Sequence, residues 1–191
     1  MRQISLDTET TGLHAASGHR IIELGAVEII DGKLTGNDFH VYLNPKRNID
    51  PRAMEVHGIT DKFVANKPEF NEIMQEFINF IQGAKLLIHN APFDVSFINQ
   101  EFSLAGLSKT IEDFCEIIDT LPMARQLHPG KRNSLDALCS RYSVDKSCRK
   151  LHGALIDAKL LGEVYLLLRK KKLSLNYTKK YFFFQKRIND E

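Results

Sequence analysis

The 191-residue sequence has no long hydrophobic run, little net charge and few cysteines, and each shortage excludes a class of protein. No apolar segment approaches the roughly 18 residues that a membrane-spanning helix requires, and no signal-peptide pattern precedes Asp7. The three cysteines, Cys115, Cys139 and Cys148, are an odd set without metal-ligand spacing, which is typical of reduced thiols. We therefore expect a cytoplasmic protein.

The net charge is only +2, so the overall charge balance indicates no particular partner. The distribution of charge indicates more, because the chain beyond Glu163 is rich in Lys and Arg and has no acid before Asp190. A hydrophobic content of 43% with 26% charged residues is typical of a folded globular protein. No repeat or low-complexity linker divides the chain. We predict one domain over residues 1–172 and a short basic, aromatic tail over 173–191.

The order of predicted elements favours an α/β domain with a mixed sheet. Antiparallel strands come first, and strands then alternate with helices. We predict strands around Asp7 and over 20–30, 33–43, 86–88 and 114–118. Helices are predicted over 51–58, 68–82, 121–127, 134–142 and 154–171, with a further helix from Pro92 that Asn90 caps.

Asp7 and Glu9 lie two residues apart in the opening strand, before the break at Thr10-Thr11-Gly12. Alternation along a strand places both carboxylates on one face. Hard divalent cations such as Mg²⁺ and Mn²⁺ prefer oxygen ligands of this kind. A pair of solvated acids on an edge strand is the alternative, and this motif alone does not decide between the two.

Two further acids lie at predicted helix starts. Asp94 follows a short buried strand, where compensation of the helix dipole is itself a sufficient reason for an acid. Asp157 has strongly apolar neighbours, Leu155, Ile156 and Leu160, so its carboxylate would be costly to bury without a cation or a hydrogen-bond partner. Asp157 is therefore the stronger functional candidate.

His152 precedes Asp157 by five residues, which on a regular helix would place the two side chains roughly 140° apart. Both can face one site only if His152 projects from the loop before the helix, where Gly153 allows the chain to turn. A histidine held there is suited to accepting a proton near neutral pH. A structural histidine is the alternative interpretation.

Three motifs taken together resemble those of the DEDDh family of 3′→5′ exonucleases: Asp7-Thr8-Glu9, His89-Asn90-x-x-Phe93-Asp94 and His152-x4-Asp157. The runs FHVYLNP, VHGIT, EFSL, PGKRNSLDALCSRY and LHGALIDAKLLGEVY are similar to the proofreading (epsilon) subunits of bacterial DNA polymerase III within that family. The resemblance covers about residues 1–168.

The resemblance implies an RNase H-like fold with a five-stranded mixed sheet flanked by helices. It implies that the four carboxylates of Asp7, Glu9, Asp94 and Asp157 hold two Mg²⁺ or Mn²⁺ ions, with Asp7 touching both. His152 would be the general base for the attacking water. Two metals about 4 Å apart suit in-line hydrolysis of a terminal phosphodiester, which releases a nucleoside 5′-monophosphate.

The implied substrate is a single-stranded DNA 3′ end, and the implied partner is the polymerase (alpha) subunit, with the sliding clamp as a further candidate. A free-standing exonuclease acting on RNA 3′ ends or short oligonucleotides is the main alternative. A catalytically inactive scaffold is a third, which the intact set of acids disfavours. The aromatic, basic run 179–184 is interpreted as a partner-binding peptide, a stacking surface for single strands or a terminus that packs on the domain.

Substrate contacts are implied for Asp7, Glu9 and Asp157 and for three further residues. Leu13 would wedge between the last two bases, His57 would lie at the terminal nucleotide and Thr10 would contact its sugar; simple packing is the alternative for Leu13 and His57. The sequence departs from the family pattern at Arg52, where the best-known members carry an acid, and this leaves one sugar contact in doubt.

Overall fold

The computed structural model describes residues 1–147, 149 and 151–189, and for 175–189 it describes the backbone alone. The strands are β1 (Arg2–Thr10), β2 (Ile21–Ile30), β3 (Lys33–Tyr42), β4 (Lys85–Ile88) and β5 (Glu116–Asp119). The helices are α1 (Pro51–His57), α2 (Asp61–Val64), α3 (Phe70–Ile81), α4 (Pro92–Leu104), α5 (Thr120–Leu127), α6 (Leu135–Tyr142) and α7 (Ala154–Asn189). Short 3₁₀ turns lie at Ala15–Ser17 and Ile111–Asp113.

The five strands form one mixed sheet in the order β3-β2-β1-β4-β5. β1 and β3 are both antiparallel to β2, whereas β1 and β4, and β4 and β5, are parallel pairs. The predicted five-stranded mixed sheet is confirmed. Because β1, β4 and β5 run in the same direction, their carboxyl ends meet at one edge of the sheet, where ligands bind in open α/β sheets.

Helices cover both faces of the sheet. On one face, Ile4 and Leu6 of β1 contact a core that includes Phe77 of α3 and Phe102 of α4, all completely buried. On the other face α7 lies across β1 and β2, and Nε2 of Gln3 in β1 donates to the phenol oxygen of Tyr165 (2.9 Å). The sheet is thus held rigidly between two layers, and β1 is its central strand.

Several predicted boundaries are corrected. Asn90 does not cap α4; it has a left-handed backbone (φ 70°), and Ala91 is the N-terminal flanking residue. α3 begins at Phe70, because Glu69 and Glu72 form a capping box there. Asp50 occupies the N-cap of α1 without a side-chain capping bond.

The predicted end of the last helix at residue 171 is wrong, since the backbone of α7 continues to Asn189. A separate tail over 173–191 stays a prediction, and the side chains of the basic, aromatic run 179–184 lie outside the described residues. In the part of the chain that is described, no helix is both long and apolar enough to cross a membrane.

Candidate active site

β1 supplies the first two carboxylates at its carboxyl end. Asp7 and Glu9 share a face of the strand, and their cross-strand partners on β2 are Gly25 and Glu23. Glu9 is only 9% exposed, and Asp7 retains partial contact with solvent. Asp7 and Glu9 therefore lie on one side of a strand, as predicted. That strand is the central strand of the sheet and not an edge strand.

Asp94 comes from the first turn of α4 and is buried. The Oγ1 hydroxyl of Thr8 donates a hydrogen bond of 2.6 Å to its Oδ1, which ties α4 to β1 between the positions of Asp7 and Glu9. Burial raises the pKa of Asp94 to about 7, although the Thr8 hydrogen bond opposes this rise. A carboxyl so placed favours its neutral form until a cation arrives.

Asp157 and His152 complete the cluster from the start of α7. The helix begins at Ala154, so His152 lies in the preceding loop as predicted, and the Asp157 N–H donates to the Gly153 carbonyl (2.9 Å). His152 Nδ1 is 3.2 Å from Asp157 Oδ2. Ligand atoms of Glu9, His152 and Asp157 all lie within 4.8 Å of one another. The side chain of Asp157 is 3% exposed and that of His152 is 46% exposed.

The approach of α7 to the sheet depends on Gly25. A Cβ atom at this position would lie 2.3 Å from the backbone nitrogen of Leu155 and 2.4 Å from the carbonyl carbon of Ala154, both of which are fixed main-chain atoms. Only glycine therefore lets the first turn of α7 reach the strand. Because Gly25 pairs with Asp7, the same contact brings Asp157 to the acids of β1.

We call Asp7, Glu9, Asp94 and Asp157 the carboxylate cage. Burial is the main cause of the pKa rise of Asp7, and the negative charges of Asp94, Glu9 and Asp157 add to it. Burial also raises the pKa of Glu9 to about 8, helped by Asp157 and Glu23. Acids that raise one another's pKa in this way are close together and lack sufficient positive charge.

A cavity of about 490 Å³ opens beside the cage, between β1 and α1. Thr10, Leu13 and His57, the three predicted nucleotide contacts, all line this β1–α1 cavity, as do Glu9 and Arg52. Leu13 is 73% exposed, as a wedge requires, whereas His57 is buried. Their roles as substrate contacts stay predictions, as does that of Asp157, which does not line the cavity.

His57 presents a polar group to this cavity wall. Its Nδ1 accepts the Ile59 N–H (3.0 Å), and its buried Nε2 lies near the backbone of Thr10 without completing a hydrogen bond among the described residues. Burial lowers the pKa of His57, so the ring is neutral at pH 7. Because Nδ1 accepts, Nε2 carries the proton and faces the backbone of Thr10.

Comparison with known proteins decides the family. The family model described as Exonuclease (RNase_T) matches residues 4–165. The DNA polymerase III subunit epsilon of Pasteurella multocida is 57% identical over 178 residues, which is 91% of this chain and 70% of that protein. The Escherichia coli subunit is 53% identical over 182 residues, 92% of this chain and 74% of that protein. The chain belongs to the epsilon-subunit exonucleases.

Solved structures agree with this assignment. Exonuclease X in complex with 5′-overhanging duplex DNA superposes with a TM-score of 0.70 at 28% identity, covering 88% of this chain and 91% of that one. E. coli Exonuclease I with a dA16 oligonucleotide gives 0.76 at 18% identity, covering 91% and 42%, and supports the fold alone. The predicted RNase H-like exonuclease fold is confirmed.

Membership of this exonuclease family implies dependence on a divalent metal ion, and the cage fits one. Four carboxylates supply the hard oxygen ligands that such ions prefer. The buried Oδ1 of Asp157 is ion-paired with Nε of Arg149 (2.5 Å) and has no well-aligned hydrogen bond within the described residues. An ion would satisfy this oxygen and relieve the mutual repulsion of the acids.

Sequence reasoning missed two charged residues of this exonuclease. Arg149 donates from Nη2 to Asp157 Oδ2 (2.8 Å), and Glu23, 3% exposed, lies beside Glu9 and interacts with His40 Nε2 (2.8 Å). Glu23 could have been found from the sequence, because it is an acid within the largely apolar run RIIELGAVEII. Arg149 carried none, because its loop has no periodic pattern.

His89 of the second motif has a structural role. Its Nε2 is 2.7 Å from the carbonyl oxygen of Asn133, and its Nδ1 is 2.8 Å from the Thr120 hydroxyl. Burial lowers the pKa of His89, so a neutral ring bridges the end of β4 to the segments around α5 and α6. This bridge fixes the turn from which α4 delivers Asp94.

Proposed function

We propose that this chain is a 3′→5′ exodeoxyribonuclease that removes mismatched 3′-terminal nucleotides as 5′-monophosphates and proofreads for a replicative DNA polymerase. The observation that carries the proposal is the convergence of Asp7, Glu9, Asp94 and Asp157 with His152 beside the β1–α1 cavity. Four acids from three separate segments have no structural reason to be buried together without cations.

The four acids of the cage would hold two divalent ions, Mg²⁺ or Mn²⁺. When bound, such ions supply positive charge to the phosphate and promote ionisation of the attacking water. The protein contributes the fixed positions of the ligands, since Thr8 holds Asp94 and Gly25 admits the α7 turn that carries Asp157. The raised pKa values of Glu9 and Asp94 mean that metal binding displaces protons.

His152 would accept the proton of the attacking water. Its ring lies beside Asp157 and Glu9, and its partial exposure allows the proton to pass on to solvent. The His152 N–H donates to the Val56 carbonyl (3.3 Å), so the loop that carries this base is attached to the helix lining the β1–α1 cavity. Base and cavity are therefore positioned relative to each other by one contact.

The β1–α1 cavity would receive the terminal nucleoside. Leu13 would separate the last two bases, and His57 would lie at the terminal nucleotide, since both residues line the cavity. Only an unpaired end can enter, and a mismatched 3′ nucleotide costs least to unpair. Selectivity for mismatches would then come from the low free-energy cost of unpairing a mismatched end, and it would require no contact with the wrong base.

The protein is expected to work in the cytoplasm with a polymerase alpha subunit, since its most similar relatives include subunits of DNA polymerase III. The sliding clamp is a further candidate partner. A pull-down with the replicative polymerase subunit, using the chain with and without residues 173–191, tests this. Loss of capture on truncation would assign binding to the tail, and equal capture would assign it to the exonuclease domain.

Primer cleavage tests the activity itself. With Mg²⁺, a primer carrying a 3′ mismatch should be shortened faster than a fully paired primer, and each step should release one 5′-monophosphate. The same sequence made as RNA is the matched control. Indifference to pairing together with preference for RNA would replace proofreading with RNA 3′-end processing, and absence of any cleavage by folded protein would refute the nuclease.

A further inference from the structure

Arg149 is bound to the acid that α7 contributes to the carboxylate cage. Its Nε lies 2.5 Å from Oδ1 of Asp157, and its Nη2 donates to Oδ2 (2.8 Å). On the outer side, Nη1 donates to Oδ1 of Asp136 on α6 (2.7 Å). The Arg149 side chain is only 8% exposed, so this is an enclosed, two-point ion pair and not a surface contact.

The guanidinium also acts on the rest of the site. Its positive charge favours the ionised forms of Asp7 and Glu9, against the combined effect of the surrounding acids. Nη2 lies 2.7 Å from His152 Nδ1 and therefore engages the lone pair of that nitrogen. A histidine whose lone pair accepts from an arginine does not accept a proton from water at the same atom.

We infer that Arg149 is a positioning residue that acts as the counter-ion of the cage in the metal-free enzyme and leaves Asp157 when a divalent ion binds. This inference rests on the proposed function. An arginine and a metal ion cannot both satisfy the same two oxygens of Asp157, so each weakens the binding of the other. Asp136 is nearly half exposed and stays bound to Arg149 after Arg149 leaves Asp157.

The consequence is that the metal-free cage stays ordered without being reactive. Arg149 holds both Asp157 and His152 near their working positions, so the ion meets a preformed site. Its departure frees Asp157 Oδ2 for the metal and releases the ring of His152 from the guanidinium in one rearrangement. Metal binding and release of the base are thereby coupled through a single side chain.

Binding of Mn²⁺ alone, measured on the full chain by the electron paramagnetic resonance of free Mn²⁺, tests the inference. Arg149→Ala should lower the Kd for Mn²⁺ by about 10-fold, because the ion no longer displaces a charged hydrogen-bond partner. Arg149→Lys should lower it less, since lysine keeps the charge but cannot bind both oxygens. Damage to the site would instead raise the Kd, so the direction of change separates the two roles.

Arg169→Ala is the matched control, because it removes the same charge from an exposed position on α7 and should leave the Kd unchanged. In EDTA the Arg149→Ala protein should melt at a lower temperature than wild type, and saturating Mn²⁺ should abolish the difference. An unchanged or higher Kd in both Arg149 variants, or an equal loss of Tm with and without Mn²⁺, would overturn the inference. If the folded wild type binds no Mn²⁺, the proposed metal site itself fails.

Discussion

The carboxylate cage and the β1–α1 cavity share the end of β1, yet they are constructed in opposite ways. The cage gathers acids from β1, α4 and α7, and side-chain contacts hold two of them, Asp94 through Thr8 and Asp157 through Arg149. The cavity is lined by the end of β1, the loop after it, α1 and Phe93 of α4, and it includes the largely exposed Leu13. The proposed reaction chemistry therefore depends on costly burial in a rigid frame, whereas the proposed substrate fit depends on surface shape.

The largest expected effect comes from removing the acid that has most contact with its neighbours. Asp7→Ala should reduce kcat on the order of 10⁴-fold with Mg²⁺, because the ion that aligns water and phosphate loses its central ligand. The fold should persist, and the metal-free Tm should not fall, since the variant removes an acid whose pKa is raised by its surroundings. Retained cleavage would remove Asp7 from the mechanism.

His152→Ala should lower kcat by about 1000-fold and leave KM nearly unchanged, which is the range expected for loss of a general base. Single-turnover cleavage of a single-stranded oligonucleotide measures the two constants separately. His40→Ala is the control, because His40 contacts the buried Glu23 outside the cage. An effect confined to KM would make His152 a substrate contact instead.

Gly25→Ala should lower kcat by about 100-fold, since a displacement of α7 by roughly 1 Å misaligns Asp157. Gly106→Ala controls for general loss of stability: its φ of +81° strains an alanine, but its added Cβ meets nothing within 4 Å. Tm and kcat of both variants are compared. Equal kcat losses in the two would mean that the α7 contact is not specific to the cage.

Leu13→Ala should raise KM by about 10-fold for a mismatched primer and change kcat little, because a leucine wedge contributes contact area and no chemistry. Leu104→Ala removes a similarly exposed leucine (61%) that does not line the β1–α1 cavity, so its KM should match wild type. If both leucine variants behave alike, the wedge assignment is wrong.

The smallest effect is on stability and arises from the raised pKa values. Glu9 and Asp94 hold protons in the folded, metal-free protein up to about pH 8 and pH 7, whereas in the unfolded chain they ionise near 4.5 and 3.8. The folded state therefore binds more protons between pH 4.5 and 7, and its stability falls as pH rises. In EDTA we expect Tm to fall as the pH rises across that range.

Glu9→Gln should flatten this pH dependence, because it removes one of the titrating groups. Saturating Mn²⁺ should oppose the fall in Tm with rising pH, because the ion binds the ionised carboxylates and its affinity rises with pH. Differential scanning calorimetry at pH 5, 6 and 7 provides the measurement. A Tm in EDTA that is independent of pH would show that the pKa values of Glu9 and Asp94 are not raised in the folded protein.

Local patterns predicted much of the sheet and the residues of the cage. Alternation in β1 placed Asp7 and Glu9 together, and the five-residue spacing placed His152 in the loop before α7. The same patterns failed where a distant contact decides the outcome. Asparagine is a favoured N-cap residue, which is why a cap was predicted at Asn90. The Asn90 N–H instead donates to Asp119 of β5 (3.0 Å), and this long-range hydrogen bond fixes the left-handed backbone of Asn90.

The sequence by itself predicted which residues carry the chemistry, through three acid-bearing motifs that resemble those of an exonuclease family. Only the tertiary structure decided what surrounds them. Arg149 reaches Asp157 and Gly25 admits α7 through contacts between residues remote in the chain, and no local periodicity encodes such contacts. Local sequence patterns identify the acids of the carboxylate cage. Tertiary packing sets the distances between these acids and places Arg149 beside them.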